Sequence, residues 1–461
     1  MTTITDPPRE SFRLSQLLYD TRYRSITIQI VALIGFLLLI GWLISNTAQN
    51  LADLGKEPSF SFLADPAGYD INQRLIDYDS RDTHLRAAFV GLLNTLLVAV
   101  MGCITATVVG VIVGVLRLSN NWLVGRIMTV YVEMFRNVPV LLWIVFTMAI
   151  MIEVFPAPRA FRGENPEATM KVFDSVAFTN RGFYVPDILF GHQRLPDEDG
   201  NAPAETWRTG LGDFPIGADP DNAACASYYA TEGPMAGQPD TGCGKIQISL
   251  DLMVLLIVLG GGLYASHRIK KRADRIQQAT GDRPTTWWAR LAVVVLPFVI
   301  AAYALGMHLG YPALKGFNFQ GGTHLRNSLI ALWLALSLYT AAFIAEIVRS
   351  GIMAISSGQT EAAAALGLRP KRIMNLVILP QALRVIIPPL ISQYLNLTKN
   401  SSLAIAVGYM DITGTLMGIT LNQTGRELET VLLTMLIYLT ISLLISSVMN
   451  WYNNRVKLVE R

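Results

Sequence analysis

Residues 361–380, EAAAALGLRPKRIMNLVILP, lie between two long apolar runs and read as two short helices meeting at a corner. Thr360 is placed to cap the first helix, Glu361 then faces the positive end of its dipole, and Gly367 supplies a left-handed stop. The alanines between them leave a nearly flat face. Pro370 opens the second helix, where its missing N–H costs nothing, and Arg369, Lys371 and Arg372 give that helix a basic side. Leu379 and Pro380 begin the next apolar run. A small-residue helix, a glycine corner and a basic helix make a rigid knob suited to a groove on a cytoplasmic partner.

The chain around this knob is a membrane protein. Of its 461 residues, 52% are hydrophobic and 15% charged, against about 25% charged in soluble chains, and mean hydropathy is +0.39. A net charge of +3 is too small to point to a nucleic-acid partner, and the basic residues sit in short clusters beside apolar runs.

The first such run, 26–44, follows a polar segment with Arg9, Arg13, Arg22 and Arg24, and it is long enough to cross a ~30 Å hydrocarbon core. It lacks the short apolar centre and small-residue cleavage site of a signal peptide. Further runs at 87–116, 127–155, 249–266, 287–310, 327–350, 381–405 and 430–451 bring the expected number of spans to eight. Lysine and arginine in short loops set orientation. The amino terminus, Arg117 and Arg126, the Arg268–Arg275 cluster, the 361–380 knob, and the tail with Arg455, Lys457 and Arg461 all fall on one side. That side reads as the cytoplasm, with both termini in it.

The expected fold is therefore an all-α integral membrane protein of eight helices. Its core is five helices, 87–116, 127–155, 327–350, 381–405 and 430–451, in two parts at 85–155 and 320–455, with the hinge at 357–380. Residues 1–25 and 456–461 read as cytoplasmic ends. The first span with its acidic loop (26–84) and the pair within 249–310 read as additions, and no internal repeat is evident. The 93-residue segment 156–248 holds ten of the 22 prolines and is expected outside the membrane as a small, mostly irregular cap. Its function is open between contact with a solute-binding protein and passive insertion. Cys225 and Cys243 both lie there, and a bridge between them would contribute ~3 kcal/mol in an oxidising space, with free thiols as the alternative. Cys103 reads as a small packing residue, and no spacing fits a metal site.

Charges at membrane depth are costly, so each is a candidate for function. Glu133 with Arg136, and Glu346 with Arg349, are three apart and can pair along their own helices near the cytoplasmic ends of their spans. Lys399 with Asn400, Ser401 and Ser402 interrupts the seventh run, where a cation could meet a substrate carboxylate or pack against a neighbouring subunit. Pro388 and Pro389 in the same run are expected to kink it.

The 361–380 stretch resembles the signature of ABC-importer permeases, E-A-A, three residues, G, nine residues, I-x-L-P. Glu361, Ala362, Ala363, Gly367, Leu379 and Pro380 match it, and Val377 stands in place of isoleucine. GLLNTLL at 91–97, FRNVPVLL at 135–142, AAFIAEIVRSGI at 341–352 and LTKNSSLAIAVG at 397–408 resemble the polar amino-acid uptake branch of that family. PAGYDI near 66–71, LIDYDSRDT and the large insertion are similar to its general L-amino-acid and glutamate/glutamine/aspartate/asparagine permease subunits. The resemblance implies a bacterial inner-membrane importer of polar L-amino acids. Its other parts would be a second, related permease subunit, a cytosolic ATPase dimer binding ATP and Mg, and a periplasmic amino-acid-binding protein. The segment from Gly358 through Pro380 would couple to the ATPase, and Glu133, Arg136, Glu346, Arg349, Lys399 and Asn400 would line or stabilise the pathway.

The chain itself holds no GxxxxGK[ST] phosphate loop, no HExxH and no GxSxG. ISSGQ at 355–359 lacks the glycine pair of an ABC ATPase signature and reads as the lead-in to the knob. No cofactor and no enzymatic activity are expected in this chain. An ion-coupled secondary amino-acid transporter is the alternative reading, with Lys399 and the Glu/Arg pairs carrying the coupling.

Overall fold

The computed structural model describes residues 21–53, 55, 58–163, 166–191, 210–216, 221, 225–229, 246–282 and 284–456. The chain divides into two compact units, Met1–Phe62 and Leu63–Arg461.

In the first unit, α1 (Thr21–Asp53) is an uninterrupted helix of 33 residues. At 1.5 Å per residue it is about 50 Å long, more than a hydrocarbon core requires. Ile30, Val31, Leu33, Phe36 and Leu39 point to every side of it and all are exposed. Apolar all round, the helix meets the requirement for lipid rather than water.

The second unit is built on α2 (His84–Leu116), α3 (Trp122–Asn137), α4 (Val140–Val154), α5 (Leu250–Thr280), α6 (Trp287–Ala304) and α7 (Asn327–Met353). It continues with α8 (Ser357–Ala365), α9 (Leu379–Asn400) and α10 (Glu427–Val456). Of the membrane-length helices, α7 is the most buried, and α2, α3, α4 and α9 pack around it. Ile144, Leu332, Leu336, Ile344 and Leu397 fill the centre of that core. Small residues set the α2–α7 approach: a Cβ on Gly110 would lie 2.7 Å from the Cβ of Ile344, and one on Gly114 2.7 Å from the Ala345 carbonyl oxygen. Glycines four apart let two helices in lipid bring their backbones together.

The 127–155 run is a broken pair rather than the single span expected. α3 and α4 are bent by 108°. Val138 is extended, at φ −108° and ψ 133°, as the residue before a proline prefers, and Pro139 has no N–H with which to continue the ladder. α9, by contrast, stays helical through Pro388 and Pro389. α5 and α6 pack chiefly on each other.

Among the described residues, nine short strands form a cap. β1 (Ala177–Thr179), β2 (Gly182–Val185) and β3 (Asp187–Leu189) precede β4 (Asp213–Ile216) and β5 (Ile246–Ser249). After α6 come β6 (His308–Gly310), β7 (Ala313–Lys315), β8 (Asn318–Gln320) and β9 (Thr323–Arg326). The 287–310 run therefore ends as a helix at Ala304, and its last residues are strand. β1–β2–β9 form an antiparallel sheet with Phe183 opposite Leu325, while β3 pairs with β6, Ile188 opposite Leu309. The insertion thus shares its sheets with residues after α6. Cys225 is buried and disulfide-bonded, whereas Cys243 lies outside the described residues.

β9 runs directly into the start of α7, and α8 follows three residues after its end. The 27 residues of α7 hold cap and hinge about 40 Å apart.

Candidate functional site

The first helix of the hinge begins four residues earlier than expected. Ser356, not Thr360, is the extended capping residue, so Glu361 falls in the second turn of α8 rather than at its positive end. The helix ends as foreseen at Gly367, φ +76°. Gly367 N–H donates to the Ala364 carbonyl at 2.9 Å and Leu368 N–H to that of Ala363 at 3.3 Å, the paired bonds of a Schellman stop. Arg369 then caps a turn opened by Pro370. Met374–Ile378 widens into a π-helical turn, which places the slack directly before Pro380, a residue without an N–H whose ring crowds the preceding turn.

Of α8 only Ala363 is buried; Gly358, Glu361 and Ala362 are exposed, as are Gly367, Leu379 and Pro380 beyond it. Leu366, at the corner, is 82% exposed. A nine-residue helix this bare has too few apolar contacts to hold itself by packing. Apart from buried Ala363 and Ile373 and a 3.5 Å hydrogen bond from Gln381 to Gln359, the hinge is an exposed projection.

Beside it, Glu346 is the centre of a charged cluster. Arg117, which ends α2, contacts its carboxylate; Arg136, in the last turn of α3, lies 3.8 Å away, and Arg349 3.4 Å. The expected Glu133–Arg136 pair is not formed. Glu133 instead accepts a hydrogen bond from Asn137 at 3.3 Å, and Arg136 turns to Glu346, its guanidinium 5.6 Å over the Phe343 ring. Spacing along one helix could not reveal a partner on another. Arg117 entered the sequence reading only as a marker of topology, yet its side chain is 8% exposed and ties α2 to α7.

Lys399 and Asn400 stand apart from this cluster at the end of α9. Lys399 lines an open cleft of about 530 Å³ with Ser402, Thr413, Met417, Thr434 and Tyr438, and no acid pairs with it among the described residues. Behind the cleft is a group the sequence reading missed. Asp411, fully buried, accepts hydrogen bonds from the Gly414 N–H at 2.8 Å and the Tyr438 hydroxyl at 3.0 Å. It pins the Gly408–Thr420 segment to α10, and the signal available was an acid inside AVGYMDITG. On the cap, the His324 ring stacks on Tyr184 at 4.2 Å. Burial, aided by the nearby Arg326 charge, holds this imidazole below its usual range against the pull of the Arg181 carbonyl.

Residues 253–458 match the family described as binding-protein-dependent transport system inner membrane component. The chain is similar to the glutamate/glutamine/aspartate/asparagine transport system permease protein of Rhodobacter capsulatus, 54% identical over the full length of both. It is 40% identical to the general L-amino acid transport system permease protein of Rhizobium johnstonii, over 98% of this chain and 96% of that one. A crystal structure of an amino acid ABC transporter with histidines is a distant likeness, with a TM-score of 0.39 at 15% identity over 81% of this chain and 95% of that one.

Proposed function

The chain belongs to the amino-acid permeases of binding-protein-dependent ABC transport systems, and from that premise we propose that it carries polar L-amino acids, glutamate, glutamine, aspartate and asparagine among them, from periplasm to cytoplasm. It is a multi-pass inner-membrane subunit, a transport component rather than an enzyme. Its termini and the hinge face the cytoplasm, and the cap faces the periplasm. ATP and Mg are bound by a separate cytosolic ATPase dimer, a second, related permease chain completes the membrane pair, and a periplasmic binding protein delivers the substrate.

The observation that carries this reading is the bare hinge. α8 starts at an extended Ser356 whose side chain makes no capping bond, is closed by the paired backbone bonds at Gly367 and is almost wholly unburied, and it stands at the end of the core helix α7 opposite the cap. A groove on the ATPase would cover it and turn nucleotide-driven closure into movement of α7 and α9. The Glu346 cluster ties the ends of α2 and α3 to the same helix, so the motion would reach four helices together.

The test is uptake in cells lacking the native chain. Glu361 is exposed, so Glu361→Lys should leave insertion and folding within about 0.5 kcal/mol of the parent while abolishing uptake and ATPase co-purification; Gly367→Pro should also abolish them. Full uptake in both variants would remove the coupling role. Uptake that continued without ATP and followed an ion gradient would favour the secondary transporter.

A further inference from the structure

The α5–α6 hairpin ends in a run of cations that its own acids do not neutralise. Between 266 and 290 the chain holds seven lysines and arginines against two aspartates. Arg268, Lys271, Arg272 and Arg275 are spaced i, i+3, i+4 and i+7, so they lie on one face of α5. All four are exposed, and no carboxylate pairs with them among the described residues. The segments expected on the same side of the membrane, 1–25 and 455–461, carry seven bases against four acids and so do not supply the counter-charge. Orientation in the membrane needs cations in the loop, not cations gathered on one face.

Packing of α5 on α6 fixes the depth of that face. A Cβ on Gly262 would lie 3.0 Å from the Val293 carbonyl oxygen, and Arg290 Nε donates to the Ser266 hydroxyl at 3.4 Å. One more turn of this antiparallel pairing sets Trp287 level with Arg268 and Ile269. Trp287 and Trp288 stack at 4.0 Å and both are exposed, as tryptophans are at the boundary between hydrocarbon and headgroups. Lys271, Arg272 and Arg275 start just beyond that boundary, about 4–10 Å further at ~1.5 Å per residue. Arg268 bends back to it: its guanidinium lies 5.9 Å over the Tyr264 ring and donates to the Tyr264 hydroxyl at 3.1 Å. On the membrane side of the cations the same face is bare, with Tyr264 63% and Ile257 65% exposed.

We propose that this face of α5 is a binding site for an anionic phospholipid, whose phosphate sits among Arg268, Lys271, Arg272 and Arg275 while an acyl chain runs along Tyr264 and Ile257. The inference goes beyond the transport reading; it rests on the membrane placement and sidedness given above, not on what is carried. A lipid supplies both halves of the match, negative charge at headgroup level and hydrocarbon directly beside it. Free phosphate or an acidic protein in the water would meet the cations alone. The planar fork of arginine suits phosphate oxygens, and cations next to a membrane helix draw anionic lipid from the leaflet they face. Because α5 and α6 pack chiefly on each other, the lipid ties the end of the hairpin to the headgroup layer.

The experiment uses the whole transporter, purified in detergent with its partner subunits and incubated with equal amounts of phosphatidylglycerol and phosphatidylethanolamine; native mass spectrometry then reads the lipid it keeps. The parent should retain phosphatidylglycerol in preference, and raised salt should weaken that preference. Lys271→Gln with Arg272→Gln and Arg275→Gln should lower phosphatidylglycerol retention by up to about fivefold for each cation removed. Arg268, Lys270, Arg283 and Arg290 remain in that variant to hold the orientation of the loop. Arg272→Lys with Arg275→Lys keeps the charge and should keep the lipid, which separates a lost site from a damaged fold. Equal retention of the two lipids by the parent, or undiminished phosphatidylglycerol on the glutamine variant, would overturn the site. Loss of the lipid from the lysine variant would overturn it too, since charge would not be what holds it. Displacement of phosphatidylglycerol from the parent by excess inorganic phosphate would make the face a site for soluble anions instead.

Discussion

Gly110→Ala is expected to destabilise the membrane core, although alanine is the better helix former. In isolation the exchange favours the helix by about 1 kcal/mol. Here the added methyl would sit 2.7 Å from both Cβ and Cγ2 of Ile344 and 2.9 Å from the Ala341 carbonyl oxygen. Ile344 is β-branched on a helix and has essentially one rotamer, and a carbonyl cannot swing aside, so α2 and α7 must separate. Overpacking of this kind costs ~1–3 kcal/mol, which leaves a net loss of ~0–2 kcal/mol. Gly261 on α5 is the internal control, because nothing lies within 4 Å of its Cβ position, and Gly261→Ala should gain up to about 1 kcal/mol. Unfolding midpoints of the two variants in the same detergent should therefore move apart, by a difference of ~1–3 kcal/mol. Gly110→Ala matching or exceeding Gly261→Ala in stability would show that the two helices do not meet at their glycines.

Glu346→Gln leaves Arg117, Arg136 and Arg349 without their shared carboxylate. Discounted for the partial exposure of Glu346, the loss should be ~1–3 kcal/mol, and a double-mutant cycle with Arg117→Gln should return a coupling of about 1 kcal/mol. Asp411→Ala strips the buried Gly414 N–H and Tyr438 hydroxyl of their acceptor and should cost ~2–4 kcal/mol, more than Asp411→Asn, as read by thermal unfolding. The His324 imidazole is held below its usual range, so the folded cap binds that proton less readily than the unfolded chain. Its contribution is intact above the unfolded value of about 6.5 and is lost as pH falls below it. Protection of the β2–β9 amides, corrected for the intrinsic exchange rate at each pH, should fall from pH 7.5 to about 5.5, and His324→Phe should flatten that slope.

The sequence was most legible where local chemistry alone decides geometry. Gly367 is left-handed because its loop needs a corner at that residue, and Pro370 begins a turn because its φ is already set; both signals are complete within a few residues. The long apolar runs were legible for a similar reason, since length and hydropathy suffice to mark a helix for lipid. Reading failed where two signals competed locally. Thr360 looked like a cap, but Ser356 lies one turn earlier and captured the helix. Val138–Pro139 lay inside an apolar run whose length outweighed the proline, although RNVP was a warning. Glu133 and Arg136 could be paired only along their own helix, while the partner that Arg136 takes lies 210 residues away on α7. The strands of the cap are three or four residues long, too short to show a period, and β2 finds its partner β9 only after α5 and α6 have intervened.

The central claim is that a rigid helical projection on the cytoplasmic face passes the ATPase's motion to the membrane core. Leu366, 82% exposed at the corner of that projection, is the place to test it. A Leu366→Cys chain should react with a membrane-impermeant thiol reagent in inverted vesicles but not in intact spheroplasts, above the blank given by the parent, and the ATPase should block the reaction. Labelling from the outside of intact spheroplasts would contradict the account.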